Sequence, residues 1–418
     1  MKHWYIILIV LMLNSSLTIA QTQREIYNSS VKAYESKDYK TFLQLTQKLD
    51  SLRPFHPNYT YNLASAFALN GNTEKALTTL QKLVMMNNTT AFETDEDFKS
   101  LQETEGFRTV LALKNAQNTI VANSKLVVTL SEKELHPEGL TYLSKSKTWL
   151  ASSIHKRKIV AFDFKTGQCN DWLSANNMLS VLAMKADTKE AFLWVATAAF
   201  PEMENFTKNM NGNAEILKVN IKTKQIVNRF AIPGNHVFGD LILDRNGVVY
   251  VSDSGKPMVY KIEKDVMTEF VSFENDGYNM QGLAFNDNQS KLFIADYLKG
   301  ITMIDMQTKA KTSLIFPEGT TAKGIDGLVF YNNTLIAIQN GVKPIRVTAL
   351  KLNEQQNQIS SFKILDNNRP EFDEPALGTV VGDKVYFFAN CPWKAYDQNG
   401  VMDAGKVSNP ILFGCKLD

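Results

Sequence analysis

Two carboxylates and an amide head a short phrase that returns along this chain. It reads Glu138-Gly139-Leu140, Gln281-Gly282-Leu283 and Asp326-Gly327-Leu328, with a looser copy at Gly239-Asp240-Leu241. Clustered carboxylate and amide oxygens are hard donors that suit Ca2+ or Mg2+. A carboxylate beside such a cation can serve as general base towards water. Glu138, Gln281, Asp326 and Asp240 are therefore the candidate metal ligands, and Asp326 is also the candidate catalytic base. His136 and His236 stand just ahead of two copies, placed to border the same site and pass a proton. Asp253, Asp296 and Asn340 close later hydrophobic runs and are second candidates. Carboxylates at these places would equally well cap turns or hold neighbouring backbone amides, and lone histidines equally well sit in surface loops. The residues leave both roles open.

The phrases need elements that bring them together. After each copy come a polar turn and a short β-branched or aromatic run, such as Val248-Val249-Tyr250-Val251, Leu292-Phe293-Ile294-Ala295 or Leu335-Ile336-Ala337-Ile338. The turns carry Thr166-Gly167, Asn246-Gly247, Asp287-Asn288 and Gly382-Asp383, residues that favour tight reversals. A unit repeated at even spacing predicts a radial array rather than a sandwich. Anchors fall near Glu138, Ser180, Gly239, Gln281, Asp326 and Ala376, the second and sixth being poor copies placed by the runs that follow them. The prediction is a mainly β chain whose residues 125–418 form a six-bladed β-propeller. The run Lys125 to Leu130 would complete the last blade and close the ring. Inner strands that begin around one axis would bring the phrase heads within a few ångströms of each other.

Residues 21–115 read instead as helical. Tyr59 to Asn72 is rich in small residues and ends on a Gly turn; Thr73-Glu74-Lys75-Ala76-Leu77 follows. These offsets resemble one tetratricopeptide repeat, with residues 24–50 as a degenerate first copy and Asp95 to Arg108 as a closing helix pair. So few repeats favour a helical cap over a peptide groove, although a protein partner docking on this segment is a second expectation. Asn115 to Asn123 is polar and reads as the linker. Ahead of all this, Lys2 and His3, the apolar run Trp4 to Leu13 and Thr18-Ile19-Ala20 read as a signal peptide covering residues 1–20. The apolar run is too short for a membrane span. The mature protein is expected to be exported, periplasmic or secreted.

The 418 residues include 44% hydrophobic and 21% charged residues, ordinary for a folded domain pair, and the formal charge of +2 gives no field for nucleic acid or an anionic membrane. Cys169, Cys391 and Cys415 are too few for a disulfide framework. One pair could form, Cys391 with Cys415 ahead of the other pairings, and buried free thiols are an equal alternative. Serine-hydrolase elbows, P-loops, dinucleotide fingerprints and zinc motifs are absent from the sequence. Trp393, in Cys391-Pro392-Trp393, is placed either to line the mouth of the site or to pack a blade.

With these phrases and this blade texture, residues 125–418 resemble the six-bladed propellers of the gluconolactonase/regucalcin-like superfamily, which includes paraoxonase-like and strictosidine-synthase-like branches. The resemblance implies a divalent metal, commonly calcium, in the central channel, held by a first-blade Glu, Asn residues of middle blades and a fifth-blade Asp. Glu138 and Asp326 match; Gln281 stands where an Asn is expected, and Gly239-Asp240 replaces one in the third blade. It further implies a metal-dependent hydrolase acting on a small lactone or related ester in the channel. The competing expectation is a non-catalytic binding or scaffold protein that uses the propeller face and the helical repeat.

Overall fold

The computed structural model describes residues 23–417; the predicted signal peptide, with its cleavage after Ala20, lies outside them. The described residues form two compact units that succeed one another between Asn118 and Thr119.

The first unit is helical. Its helices are α1 (residues 23–35), α2 (Tyr39–Leu52), α3 (Pro57–Leu69), α4 (Thr73–Met86) and α5 (Glu105–Ala116). Asp38 starts α2 by accepting from the Thr41 amide at 3.1 Å. Pro57 starts α3, where its missing N–H is no loss. Helix α3 ends in a Schellman turn: Gly71 takes φ +73, its amide donates to Ala68 O and the Asn72 amide to Phe67 O, both at 2.9 Å. Ala64 and Ala76 are fully buried, and such small side chains let α3 and α4 approach closely over Leu80 and Leu83. The predicted closing helix pair is instead a 3-10 turn, Glu96–Phe98, followed by α5. Phe92, Phe98 and Phe107 meet edge to face beneath that turn. Asp95 and Asp97 of the turn accept from Tyr61 and Ser65 of α3.

The second unit is the propeller. Blade 1 comprises Leu140–Leu143, Thr148–Ser152, Lys158–Phe162 and Cys169–Ser174. Blade 2 comprises Ser180–Ala186, Phe192–Ala198, Ala214–Asn220 and Gln225–Phe230. Blade 3 comprises Phe238–Leu243, Val249–Asp253, Met258–Glu263 and Val266–Ser272. Blade 4 comprises Met280–Phe285, Lys291–Asp296, Gly300–Asp305 and Lys311–Ser313. Blade 5 comprises Ile325–Tyr331, Thr334–Gln339, Arg346–Leu352 and Ile359–Asn367. Blade 6 comprises Gly378–Val381, Lys384–Phe388 and Ile411–Lys416, with Lys125–Thr129 as its outermost strand. The innermost strand of each blade touches that of both neighbours, so the ring is closed.

The blade strands read as continuous apolar runs because both faces of each sheet are covered. Successive residues point to opposite neighbours. Thus Trp149 packs with Tyr386 and Phe388 of blade 6, whereas Leu150 packs with Val181 and Leu193 of blade 2. Similar apolar layers fill each remaining gap between neighbouring blades. The hairpins after the third strands are built alike in blades 1 and 4. Asp163 Oδ1 accepts from the Lys165 and Thr166 amides and from the Thr166 hydroxyl, and Asp305 Oδ1 does the same for Gln307 and Thr308.

The early strand Lys125–Thr129 closes the ring by pairing antiparallel with Ile411–Lys416, as predicted. The segment ahead of it is more than a linker: Val121–Ala122 adds a fifth strand to the outer edge of blade 5. Asp366 fixes the crossing from one blade to the next. It is fully buried, accepts from the Ser124 amide at 3.1 Å and the Ser124 hydroxyl, and pairs with Arg369 at 3.2 Å.

Candidate functional site

The recurring phrase lies where each inner strand begins, and its chemistry follows from a bulge there. In blades 2 to 5 the ladder between first and second strands skips residues, between Val181 and Met184, Phe238 and Leu241, Met280 and Leu283, and Ile325 and Gly327. Bulged residues leave the ladder and turn their side chains out of register. The freed amides need other acceptors. In blade 3 Ser252 Oγ takes that of Asp240 at 3.1 Å; in blade 1, where the ladder is regular and Glu138 and Gly139 precede the strand, Ser152 Oγ takes their amides at 3.1 and 2.6 Å.

The glycine after each phrase head is set by close packing between blades. A Cβ on Gly139 would stand 2.2 Å from Leu182 O, and one on Gly327 would stand 2.1 Å from Ala376 O. A Cβ on Gly282 would meet Asp326 O at 2.7 Å. These contacts also give the alignment of the inner strands: Glu138, Leu182, Gly239, Gln281, Asp326 and Ala376 are equivalent. Only Glu138, Gln281 and Asp326 among them carry polar side chains.

Glu138 is 7% exposed and its Oε2 has no hydrogen-bond partner. Burial, then the charges of Asp326 and Glu374, raise its carboxyl well above the usual range; the Trp393 indole, donating towards it, pulls the other way. Asp326 is half-buried. Its carboxyl is pushed up to about 6, first by burial and then by the charges of Asp240 and Glu374, against the lowering effect of Asn340. Asn340 Nδ2 donates to Asp326 Oδ2 at 2.6 Å, and Tyr297 Oη donates to Asn340 Oδ1 at 2.9 Å. The structure thus brings Glu138 and Asp326 into one electrostatic group.

Gln281 and Asp240 are engaged elsewhere. Gln281 Oε1 accepts from Ser254 Oγ at 3.2 Å and its Nε2 donates to Asn279 Oδ1 at 2.7 Å. Asp240 stands one residue beyond the aligned position, where Gln281-Gly282 and Asp326-Gly327 have glycine. Its Oδ1 accepts from the Leu241 amide at 2.8 Å and its Oδ2 from the Leu283 amide of blade 4 at 2.9 Å. It joins two inner strands.

Of the second candidates, Asn340 joins the Asp326 group, while Asp253 and Asp296 are loop clamps. Asp253 Oδ1 accepts from the Val237 and Gly255 amides, each at 2.9 Å. Asp296 accepts from the Tyr278 amide at 2.8 Å and the Leu298 amide at 2.9 Å. His236 is 2% exposed, with Nδ1 at 2.6 Å from Asp253 Oδ2 and Nε2 at 3.2 Å from Pro233 O. Both of its nitrogens therefore face acceptors of the protein itself, one on the second strand of blade 3 and one in its own loop. His136 is 1% exposed; its Nδ1 lies 3.0 Å from Tyr396 Oη and its Nε2 has no partner. Burial first, and nearby His155 next, lower its pKa to about 3, so the ring is neutral.

Two participants fall outside the repeat. Glu374, just ahead of the sixth anchor, adds charge to the Glu138–Asp326 group while pairing with Lys394 at 3.2 Å. The acidic pair Asp373-Glu374 at an anchor was its available signal. Trp393 lies on a 3-10 turn, Trp393–Ala395, in the segment joining the second and third strands of blade 6. Cys391 and Cys415 are both buried and form no disulfide with each other, the second of the two alternatives. Burial and the three carboxylates raise the Cys391 thiol.

Among the described residues, no group of three or more His, Cys, Asp or Glu side chains is arranged to hold a metal ion. The donors do suit a cation held by two carboxylates and completed by neutral oxygens and water, as Ca2+ accepts. The orphaned Glu138 Oε2 and its mutual repulsion with Asp326 are what such a cation would relieve.

The architecture defines a six-bladed β-propeller preceded by helices. Solved structures similar to it include a PQQ-bound aldose sugar dehydrogenase from Streptomyces coelicolor, at 14% identity over 71% of this chain and 97% of that one, TM-score 0.47. A selenomethionine-substituted virginiamycin B lyase from Staphylococcus aureus matches at 13% identity over 69% and 98%, TM-score 0.47. A calcium-binding regucalcin from Agrobacterium tumefaciens matches at 12% over 71% and 94%, TM-score 0.47. Likeness at this level carries no functional argument. No family profile and no curated protein matches the chain in sequence.

Proposed function

We propose that this is an exported propeller hydrolase whose axial opening takes a small lactone or related ester. The observation that supports the reading is the pair Glu138 and Asp326, each with its carboxyl raised, with an unpartnered oxygen on Glu138. Asp326 is the base: a carboxyl near 6 gives up its proton below neutrality and can then take one from water. Asn340, itself held by Tyr297, orients it. Glu138 and Asp326 would hold the divalent cation, expected to be Ca2+, and that cation would polarise the ester carbonyl. Gln281 borders the same opening from blade 4, its amide aligned by Ser254 and Asn279.

In this reading Asp240, His136 and His236 support the site without touching the substrate. The second reading, a non-catalytic ligand-binding propeller with its helical unit as a docking surface for a protein, is favoured by the engagement of Asp240 and Gln281 in protein hydrogen bonds. Purified protein stripped with EGTA and titrated with Ca2+ separates the two. The expected result is hydrolysis of simple γ- and δ-lactones that requires Ca2+ and is lost in Asp326→Asn with the fold retained. Ca2+ binding without hydrolysis of any lactone would leave the binding reading, and hydrolysis unchanged in Asp326→Asn would remove Asp326 as the base.

A further inference from the structure

The connections between second and third strands differ sharply in length. They are short in blades 1, 3, 4 and 5 (residues 153–157, 254–257, 297–299 and 340–345) and long in blade 2 (199–213) and blade 6 (389–410). Blades 2 and 6 flank blade 1, and their long segments meet over it. Gly400 approaches Pro201 so closely that a Cβ there would stand 2.2 Å from the Pro201 carbonyl. Phe200 meets Trp393 edge-on with centroids 5.5 Å apart. Tyr396 reaches His136 of blade 1, and the His155 ring, 5.8 Å from Tyr396, is tied through Nδ1 to Glu202 O at 2.6 Å.

Beneath this meeting lies Glu138. Its Oε2 is sealed from water as well as unpartnered, and so is His136 Nε2. Trp393 links the two: its ring stacks edge-on with His136 at 4.6 Å and its indole donates towards the Glu138 carboxylate. Trp393 is carried by a one-turn helix in a long connection and not by a blade strand. A group on such a connection can swing away without breaking a ladder, and regions of this kind open at low free energy.

We infer that the 389–410 segment is a cover over Glu138 with Trp393 as its latch, so that a cation or ligand reaches Oε2 only when Trp393 moves off the carboxylate. The inference rests on Glu138 being the working carboxylate of the site proposed above. It adds that the closed state is held by the chain's own Trp393, Phe200 and His136. Ligand and Trp393 then compete for the same carboxylate, and Trp393 is a positioning residue.

Cys391, two residues before Trp393 and fully buried, reports the movement. Cys415, 1% exposed on a strand of the same blade, is the control for general loosening. Alkylation of each thiol by N-ethylmaleimide is followed by peptide mass spectrometry on the full chain, with no cation or substrate present. Trp393→Phe, which keeps an aromatic ring and removes the donor, should speed Cys391 alkylation about fivefold, the factor that about 1 kcal/mol gives an opening equilibrium. Cys415 should be unchanged. An unchanged Cys391 rate, or equal rises at both thiols, would overturn the latch. Because the assay contains neither Ca2+ nor lactone, its outcome is independent of whether the hydrolase reading holds.

Discussion

Replacing Asp326 by Asn should stabilise the cation-free protein, and only at neutral and alkaline pH. The carboxyl of Asp326 lies at about 6 in the folded chain against an ordinary 3.8, chiefly because of burial and then the charges of Asp240 and Glu374. At 1.36 kcal/mol per pH unit this corresponds to about 3 kcal/mol. For an acid raised on folding, the native state holds the proton over a range where the unfolded chain has lost it. Its contribution is therefore fully present below pH 4 and is lost as pH climbs through 6. Asn removes the titration and keeps an oxygen for the Asn340 donor, although its amide hydrogens need acceptors. The stability gap between Asp326→Asn and wild type should thus widen by about 2–3 kcal/mol from pH 4 to pH 8. Urea unfolding in EGTA at both pH values measures it, and saturating Ca2+ should narrow the gap at pH 8. A gap independent of pH, or one that narrows as pH rises, would refute the argument that Asp326 is a strained carboxylate.

Gly139→Ala and Gly327→Ala should each destabilise the propeller by more than about 2 kcal/mol, since the new Cβ would collide with backbone oxygens at 2.2 and 2.1 Å; soluble protein with an unaltered melting temperature would contradict this. Asp366→Ala should lower stability by about 1–3 kcal/mol by leaving the Ser124 amide and hydroxyl without their buried acceptor, while Arg369 keeps its pair with Glu371. Hydrogen exchange over Lys125–Thr129 should rise with it, and a change below about 1 kcal/mol would dismiss Asp366 as the fastener. Asp240→Asn should leave Ca2+ affinity within about threefold by isothermal titration, because its oxygens serve Leu241 and Leu283. A tenfold fall would make Asp240 a ligand.

The ring and its phase were legible in the sequence where packing dictates composition. Glycine recurs in the phrase because the next blade's backbone leaves no room for a Cβ, so Gly139, Gly282 and Gly327 mark the inner strands directly. The poor copies, at Ser180 and Ala376, have Leu182 and Ala376 at the equivalent inner positions, where apolar packing replaced the polar head. Asp240 was harder to place, because the bulge phase is not written in residue types. A shift of one residue sends a side chain to the other face of a strand. Asp253 and Asp296 have the chemistry of ligands yet bind loop amides, a distinction that depends on where the preceding loop runs. Glu374 was out of reach of repeat reasoning, since no other blade has an acid two residues ahead of its phrase head, and Trp393 was visible only as a local Cys-Pro-Trp phrase, since the long connection that carries it has no counterpart of that composition.

The strand that closes the ring has a consequence for how the chain is made. Lys125–Thr129 leaves the ribosome ahead of blades 1 to 5, yet its partner, Ile411–Lys416, follows only after all of them. Through synthesis of the intervening blades it waits as a single strand, its pairing groups unsatisfied. The contact that completes the ring is therefore also the one of greatest sequence separation, the kind that forms slowly. A nascent chain halted before Ile411 would carry five finished blades and only the two inner strands of the sixth, presenting an open strand edge to whatever chaperone or neighbouring chain is at hand.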